Sequence, residues 1–186
     1  FPYTTLFRSL LTAAFRVLSA MEASPERALR CVALLSGAAG ENGMVAGQVL
    51  DLEGETRTLT EAELRNVHRH KTGDMIRAAC QMGTVLGGGT ETQIAAAGEF
   101  ALHLGMAFQI RDDMLDCMGS AEELGKPIGS DQESGKTTFV TLRGLEECQS
   151  LVEQETAEAL AALERGDFRD TSFLAALAEA LTSRMK

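Results

Sequence analysis

Phe108-Gln109-Ile110-Arg111-Asp112-Asp113-Met114-Leu115-Asp116 sets three carboxylates within five residues, at the end of a strongly apolar stretch. Upstream, between Ile94 and Ile110, only Glu99, His103 and Gln109 interrupt a run of Ala, Gly, Leu, Met and Phe. An apolar pattern on nearly all faces predicts a helix at the centre of a bundle, from about Glu91 to Cys117. On that helix Asp112 and Asp116 are i, i+4 neighbours pointing the same way, with Asp113 rotated off by about 100°. Converging carboxylates repel one another unless a cation sits between them. Hard oxygen ligands suit magnesium, which keeps several waters and shares its shell with substrate phosphates. A solvated helix end whose acids merely face water is the alternative that spacing leaves open.

The chain has 186 residues, enough for one domain or part of one with a real core. Three prolines, one tyrosine and no tryptophan, with abundant Ala, Leu, Glu and Gly, favour an all-α protein. A net charge of -10 argues against a nucleic-acid partner. Cys31, Cys80, Cys117 and Cys148 are scattered, with no C-x-x-C spacing, the pattern of reduced thiols in a cytoplasmic protein. No apolar run approaches the ~20 residues of a membrane span, and no signal-peptide pattern is present.

Phe1 to Ser9 is locally β-leaning and joins abruptly to the helical Leu10 to Ala20. It resembles the translated adaptor remnants found at the ends of assembled reads, so it is set aside from fold reasoning, and the natural chain is expected to begin upstream. Ser24-Pro25-Glu26 starts a helix: a capping hydroxyl, a proline in the first turn, then an acid near the positive end of the dipole. That helix is expected to run through Gly43 to Leu52, with Gly37, Gly40, Gly43 and Gly47 thinning one side for close packing. Gln48 and Asp51, three apart, share a face near its end.

Thr60-Glu61-Ala62-Glu63 is a capping box. The helix it opens carries His68-Arg69-His70-Lys71-Thr72-Gly73, where Gly73 is expected to loosen or break it before Met75. A lysine and a hydroxyl beside a weakened turn can meet a phosphate, although basic residues on a helix are more often a solvated face. His68 and His70 are two apart and fall on different faces, which argues against a shared metal. After the central helix, Lys126 and Lys136 lie ten positions apart among Gly125, Gly129 and Gly135, a cationic loop beside the acidic cluster. Ser130 to Thr137 nearly spells a nucleotide-binding P-loop, but serine stands at its first glycine and no strand precedes it. Phe139 to Lys186 reads as helices ending near Gly166 and at the C-terminus.

Taken together, F-Q-x-x-D-D-x-x-D at Phe108 to Asp116 and G-K-x-x-G-x-D-x-x-x-G-K-T-T from Gly125 resemble the second aspartate-rich region of the trans-isoprenyl diphosphate synthases, the polyprenyl synthetase family. H-R-H-K-T-G at His68 to Gly73 and G-Q-x-L-D-L at Gly47 to Leu52 resemble that family too, and the order is right over Leu10 to Lys186. The detail looks most like a bacterial short-chain enzyme of the farnesyl diphosphate synthase type. The resemblance implies an orthogonal helical bundle around an apolar cavity, usually in a homodimer. It implies magnesium-assisted condensation of an allylic diphosphate with isopentenyl diphosphate, with electrostatic stabilisation of the departing diphosphate. Carried over by position, Asp112 and Asp116 hold magnesium with Asp113 supporting. Lys71, Lys126 and Lys136 bind the allylic diphosphate. Thr72 and Gln109 place oxygens near the carbocation, and Gln48 with Asp51 sits on the cavity wall or behind the ligands.

The sequence departs from the family pattern in one respect: no stretch from Phe1 to Asp51 supplies the first aspartate-rich motif or the basic residues for isopentenyl diphosphate. The resemblance therefore covers the C-terminal part of a prenyl synthase, expected to be inactive alone and to leave apolar faces of Ile94 to Ile110 uncovered. Alternatives are a geranylgeranyl or longer-chain synthase, since product-length residues lie upstream, and a non-catalytic partner subunit, which tends to lose the acids or lysines kept here. A terpene cyclase carries a different late acidic triad.

Overall fold

The computed structural model describes residues 2–118 and 136–183. Helices α1 (Pro2–Ala20), α2 (Pro25–Ala39), α3 (Met44–Gly54) and α4 (Glu61–His68) lead into a π-helical turn, Arg69–Gly73. Then follow α5 (Asp74–Leu86), α6 (Glu91–Met118), α7 (Phe139–Arg143), α8 (Leu145–Arg165) and α9 (Ser172–Ser183). There is no strand among the described residues.

The predicted central helix is α6. Its first turn is closed by Thr90 and Gln93, each side chain accepting the other's backbone N–H, which satisfies two otherwise orphaned donors. Its apolar residues enter three separate parts of the core. Ile94 packs with Leu18, Cys31, Leu35 and Val85. Phe100, Ala101 and Leu104 pack with Ala159, Ala162, Leu163 and Ala178. Ile110 and Met114 pack with Leu59, Leu64, Val67, Phe139, Cys148 and Val152. A helix surrounded by α5, α8, α9 and the π turn needs apolar residues on every side, hence the missing polar face. The expectation that apolar faces of Ile94 to Ile110 are left uncovered holds only in part: Ile94, Phe100, Ala101, Leu104, Ala107 and Ile110 are buried, whereas Leu102, Met106 and Phe108 are half-buried. Large exposed apolar side chains include Leu10, Leu29, Val45, Val49 and Leu52 on α1, α2 and α3, and Met118 and Phe173 on α6 and α9.

Three other local expectations need correcting. The chain is helical from Pro2 with no break at Ser9, so the β-leaning residues follow the helix that continues them. The helix from Pro25 does not reach Leu52: it stops at Ala39, and Gly40-Glu41-Asn42-Gly43 makes a turn before α3. Two of the four glycines read as packing notches are turn residues, a composition that favours turns over a helix interior. Helix α7 is a short separate element, capped by the Thr138 and Thr141 side chains and ended by Gly144 at φ +80°, a conformation that suits glycine. The capping box at Thr60 and Glu63 is present as expected.

Of the two outcomes expected at Gly73, the helix is loosened and not broken. The N–H of Asp74 donates to the carbonyl of Arg69, widening the turn while the axis continues into α5. Two glycines clamp this turn. A Cβ on Gly47 of α3 would lie 2.2 Å from the Lys71 backbone nitrogen, and one on Gly105 of α6 would lie 3.2 Å from the Gly73 Cα. Gly47→Ala should therefore push α3 off the turn and cost about 3 kcal/mol, the upper part of the overpacking range. Urea unfolding measures it; a loss under about 1 kcal/mol would mean that α3 can slide without consequence.

Candidate active site

The clamped turn presents Lys71 and Thr72 between α3 and α6. Lys71 Nζ donates to Oδ2 of Asp51 at 2.5 Å, and Lys136 Nζ lies 3.0 Å from Oδ1 of the same carboxylate. One side chain of α3 thus joins two lysines 65 positions apart in sequence. Asp51 is 17% exposed. Burial alone pushes its carboxyl pKa up, but the bonds to Lys71 and Lys136 outweigh burial and hold it below the usual value. Beside them Thr72 Oγ1 donates to Oε1 of Gln109 at 3.1 Å, linking the turn to α6.

Gln109, Asp112, Asp113 and Asp116 fall within about 100° of the α6 circumference at 100° per residue, and Asp112 and Asp116, four apart on a continuous helix, share one side of it. Their settings differ. Asp112 is exposed, Asp113 half-buried and Asp116 buried. Asp113 Oδ2 accepts the backbone N–H of Phe139 at 2.8 Å, at the start of α7. Arg111 points away from this side and bonds Gln149 on α8.

The segment entering α7 is fastened along its length. Thr137 Oγ1 accepts the Leu59 N–H at 3.0 Å and Asp113 holds Phe139 two residues on, which brings Lys136 to Asp51. Nothing in the spacing alone gives Thr137 this role; its signal is a hydroxyl pair directly after the lysine. Lys126 lies outside the described residues. Gln48 is exposed on α3 beside the exposed Val45, Val49 and Leu52, on a face shared with Asp51 but not in the lysine pair's bonding.

His68 is the residue whose part the sequence hid. It stacks on Phe139 with ring centroids 5.6 Å apart, and its Nε2 lies 4.0 Å from Oδ2 of Asp113, beyond hydrogen-bond range. Burial lowers its pKa to about 4. Gln109 and Asp51 favour the charged form and Lys71 and Lys136 oppose it, yet neither ring nitrogen makes a hydrogen bond of ordinary geometry. His70, as expected, faces elsewhere, 2.8 Å from Asp74. A neutral imidazole under two ammoniums adds no charge to the site. With a folded pKa below the unfolded one, stability is intact above about pH 6.5 and falls as pH drops toward 4, by roughly 1.4 kcal/mol per unit. His68→Phe should remove that slope between pH 6 and pH 5 in urea titrations; an unchanged slope would place the acid sensitivity elsewhere.

The Polyprenyl synthetase family profile matches residues 8–178, and the chain belongs to that family. It is 48% identical to the farnesyl diphosphate synthase of Geobacillus stearothermophilus over 139 residues, 73% of this chain and 47% of that protein. It is 42% identical to the Micrococcus luteus farnesyl diphosphate synthase, over 83% of this chain and 53% of that one. Among solved structures, a Helicobacter pylori geranyltransferase complexed with magnesium and isoprenyl diphosphate superposes with a TM-score of 0.77 at 32% identity, over 91% of this chain and 55% of that one. The chain spans about half the length of the curated relatives it matches.

Proposed function

We propose that this chain carries the leaving-group half of a magnesium-dependent prenyltransferase that joins dimethylallyl or geranyl diphosphate to isopentenyl diphosphate, giving farnesyl diphosphate. The observation that carries the reading is the convergence of Lys71 and Lys136, from distant parts of the chain, beside the Thr72–Gln109 pair on the helix that bears Asp112, Asp113 and Asp116.

The carboxylates suit magnesium by chemistry: they are hard oxygen donors on one side of one helix. Among the described residues no three His, Cys, Asp or Glu side chains form a ready cage, and magnesium commonly takes one or two carboxylates plus phosphate oxygens. Asp112 and Asp116 would hold it, with Asp113 supporting, and the ion would neutralise charge gathering on the departing diphosphate. Lys71 and Lys136, joined by Lys126, would bind the diphosphate oxygens as point charges. The allylic C–O electron pair leaves with the diphosphate. The isopentenyl double bond supplies the pair for the new C–C bond, and a proton is then lost to restore a double bond. Thr72 and Gln109 aim oxygens where positive charge develops, a preorganised arrangement that needs no reorganisation at the moment of reaction.

The parent enzyme is read as a homodimer, supported by the exposed apolar side chains of α1 and α2. It is read as cytoplasmic, supported by four scattered cysteines with no C-x-x-C spacing; no helix among the described residues is long and apolar enough to cross a membrane. The test is labelled isopentenyl diphosphate with geranyl diphosphate and magnesium, given to a polypeptide that joins this chain to the N-terminal half of the Geobacillus relative. Farnesyl diphosphate is the expected product. No condensation by a folded polypeptide would refute the reading, and longer products would shift it to a geranylgeranyl-type synthase.

A further inference from the structure

Asp74 follows directly on the turn that carries Lys71 and Thr72, and its side chain is only 2% exposed. Both of its oxygens are engaged. His70 Nδ1 lies 2.8 Å from Oδ2, and Arg77 Nη2 lies 2.9 Å from Oδ1. One partner stands four residues before it and the other three after, so a single buried carboxylate ties the inside of the turn to the start of α5. Neither partner is itself buried: the His70 and Arg77 side chains are 24% and 34% exposed. Helix stability gives little reason for such a group. The Asp74 N–H already donates to the Arg69 carbonyl and the axis continues, so no open helix end lies there for an acid to cap. Withdrawing a carboxylate from water costs about as much as its ion pairs return.

We propose that Asp74 is a positioning residue, a latch that holds the π turn in the shape which presents Lys71 to the diphosphate. This rests on the reading of Lys71 as a diphosphate ligand. The contacts at Gly47 and Gly105 limit how closely α3 and α6 approach the turn, and contact of that kind only repels. The Asp74–His70 bond supplies the attractive restraint, with one end inside the widened turn Arg69–Gly73 and the other directly after it. A π turn is a rare departure from the α-helix, and a side-chain bond across it favours that shape over its neighbours. Lys71 and Thr72 leave the same turn toward other elements, to Asp51 on α3 and Gln109 on α6. A shift of the turn therefore moves the ammonium and the hydroxyl together. Asp74 acts through the backbone of Lys71, not by touching a substrate.

The test titrates this chain with inorganic pyrophosphate and magnesium in a calorimeter and follows thermal unfolding of the same samples. Asp74→Leu replaces the carboxylate with an apolar side chain of similar size, a change that buried ion pairs commonly tolerate, and releases His70 and Arg77 toward water. It should keep Tm close to wild type yet weaken pyrophosphate binding about tenfold, the size of one charge-assisted contact. Asp74→Asn keeps an acceptor for His70 and should restore wild-type affinity. His70→Leu cuts the same bond from its more exposed end; it should reproduce the loss, and it decides the matter if Asp74→Leu fails to fold. The signature of positioning is non-additivity. Asp74→Leu should cost nothing further in a Lys71→Met background and its full factor in a Lys136→Met background. Wild-type affinity in His70→Leu and in folded Asp74→Leu overturns the proposal. So does an equal further loss in both lysine backgrounds, which marks a general loosening of the fold. If Lys71→Met by itself leaves pyrophosphate binding unchanged, the reading of the lysine site fails; if it weakens binding and the latch variants do not, only the latch fails.

Discussion

Asp112→Ala, in the rejoined polypeptide, should lower kcat/KM for geranyl diphosphate about a thousandfold, roughly 4 kcal/mol of transition-state stabilisation, while leaving the folding free energy within about 0.5 kcal/mol. The asymmetry follows from where the side chain stands. Asp112 is exposed on α6, so its removal empties no core position. The concentration of magnesium giving half-maximal rate should rise as well, since the proposed reading makes Asp112 one of the carboxylates that would hold the metal. Asp113→Ala is the informative contrast. That carboxylate accepts the Phe139 N–H at the start of α7, and stranding a donor there should cost about 1–3 kcal/mol of stability. It also loosens the segment that carries Lys136, so rate falls through misplacement as well as through the metal. Asp113→Asn keeps an acceptor and should recover most of the stability. Unchanged turnover and magnesium dependence in Asp112→Ala would remove the acids from the chemistry and return them to the role of a solvated helix end.

The central helix was legible because its signal is long and one-sided in kind. An apolar run ending in three acids has few other interpretations, and the described part of α6, Glu91–Met118, includes the whole expected span. Caps were legible for the same reason: Ser24 and Thr60 act through bonds to residues three positions away, which a sequence displays directly. What the sequence concealed depends on contacts between distant segments. Gly40 and Gly43 looked like packing notches because glycine carries no mark separating a close approach from a turn; Gly47 is the close approach, and its partner, the Lys71 backbone, is visible only in three dimensions. The resemblance puts Asp51 on the cavity wall or behind the ligands, and nothing in G-Q-x-L-D-L indicates that two lysines meet on it. The spacing of His68 and His70 speaks only to a shared metal, which it argues against. Burial of His68 against Phe139, 71 positions away, is what keeps it neutral.

The 186-residue polypeptide, assayed without an added N-terminal half, should show no measurable farnesyl diphosphate formation, while the rejoined polypeptide turns over. The family mechanism, as the resemblance implies it, grips the allylic diphosphate through magnesium from two acidic clusters, and this sequence contains one. Metal stabilisation of a leaving group is worth several kcal/mol, and each ~1.4 kcal/mol is a factor of ten in rate. Losing half of that grip therefore costs orders of magnitude, before the basic residues for isopentenyl diphosphate are counted. The same polypeptide should nevertheless bind pyrophosphate, because Lys71, Lys136 and the helix carrying the acids are all present and held by contacts within it. Binding without turnover is thus the signature that separates an incomplete catalytic site from a wrongly assigned one. The exposed Val45, Val49 and Leu52 of α3, on the side next to Asp51, should meanwhile promote association. Light scattering should show it for the polypeptide alone and show less of it after rejoining. Robust farnesyl diphosphate formation by the 186 residues alone would mean that one acidic cluster suffices, and that the allylic diphosphate is ionised by a smaller set of groups than the family pattern requires.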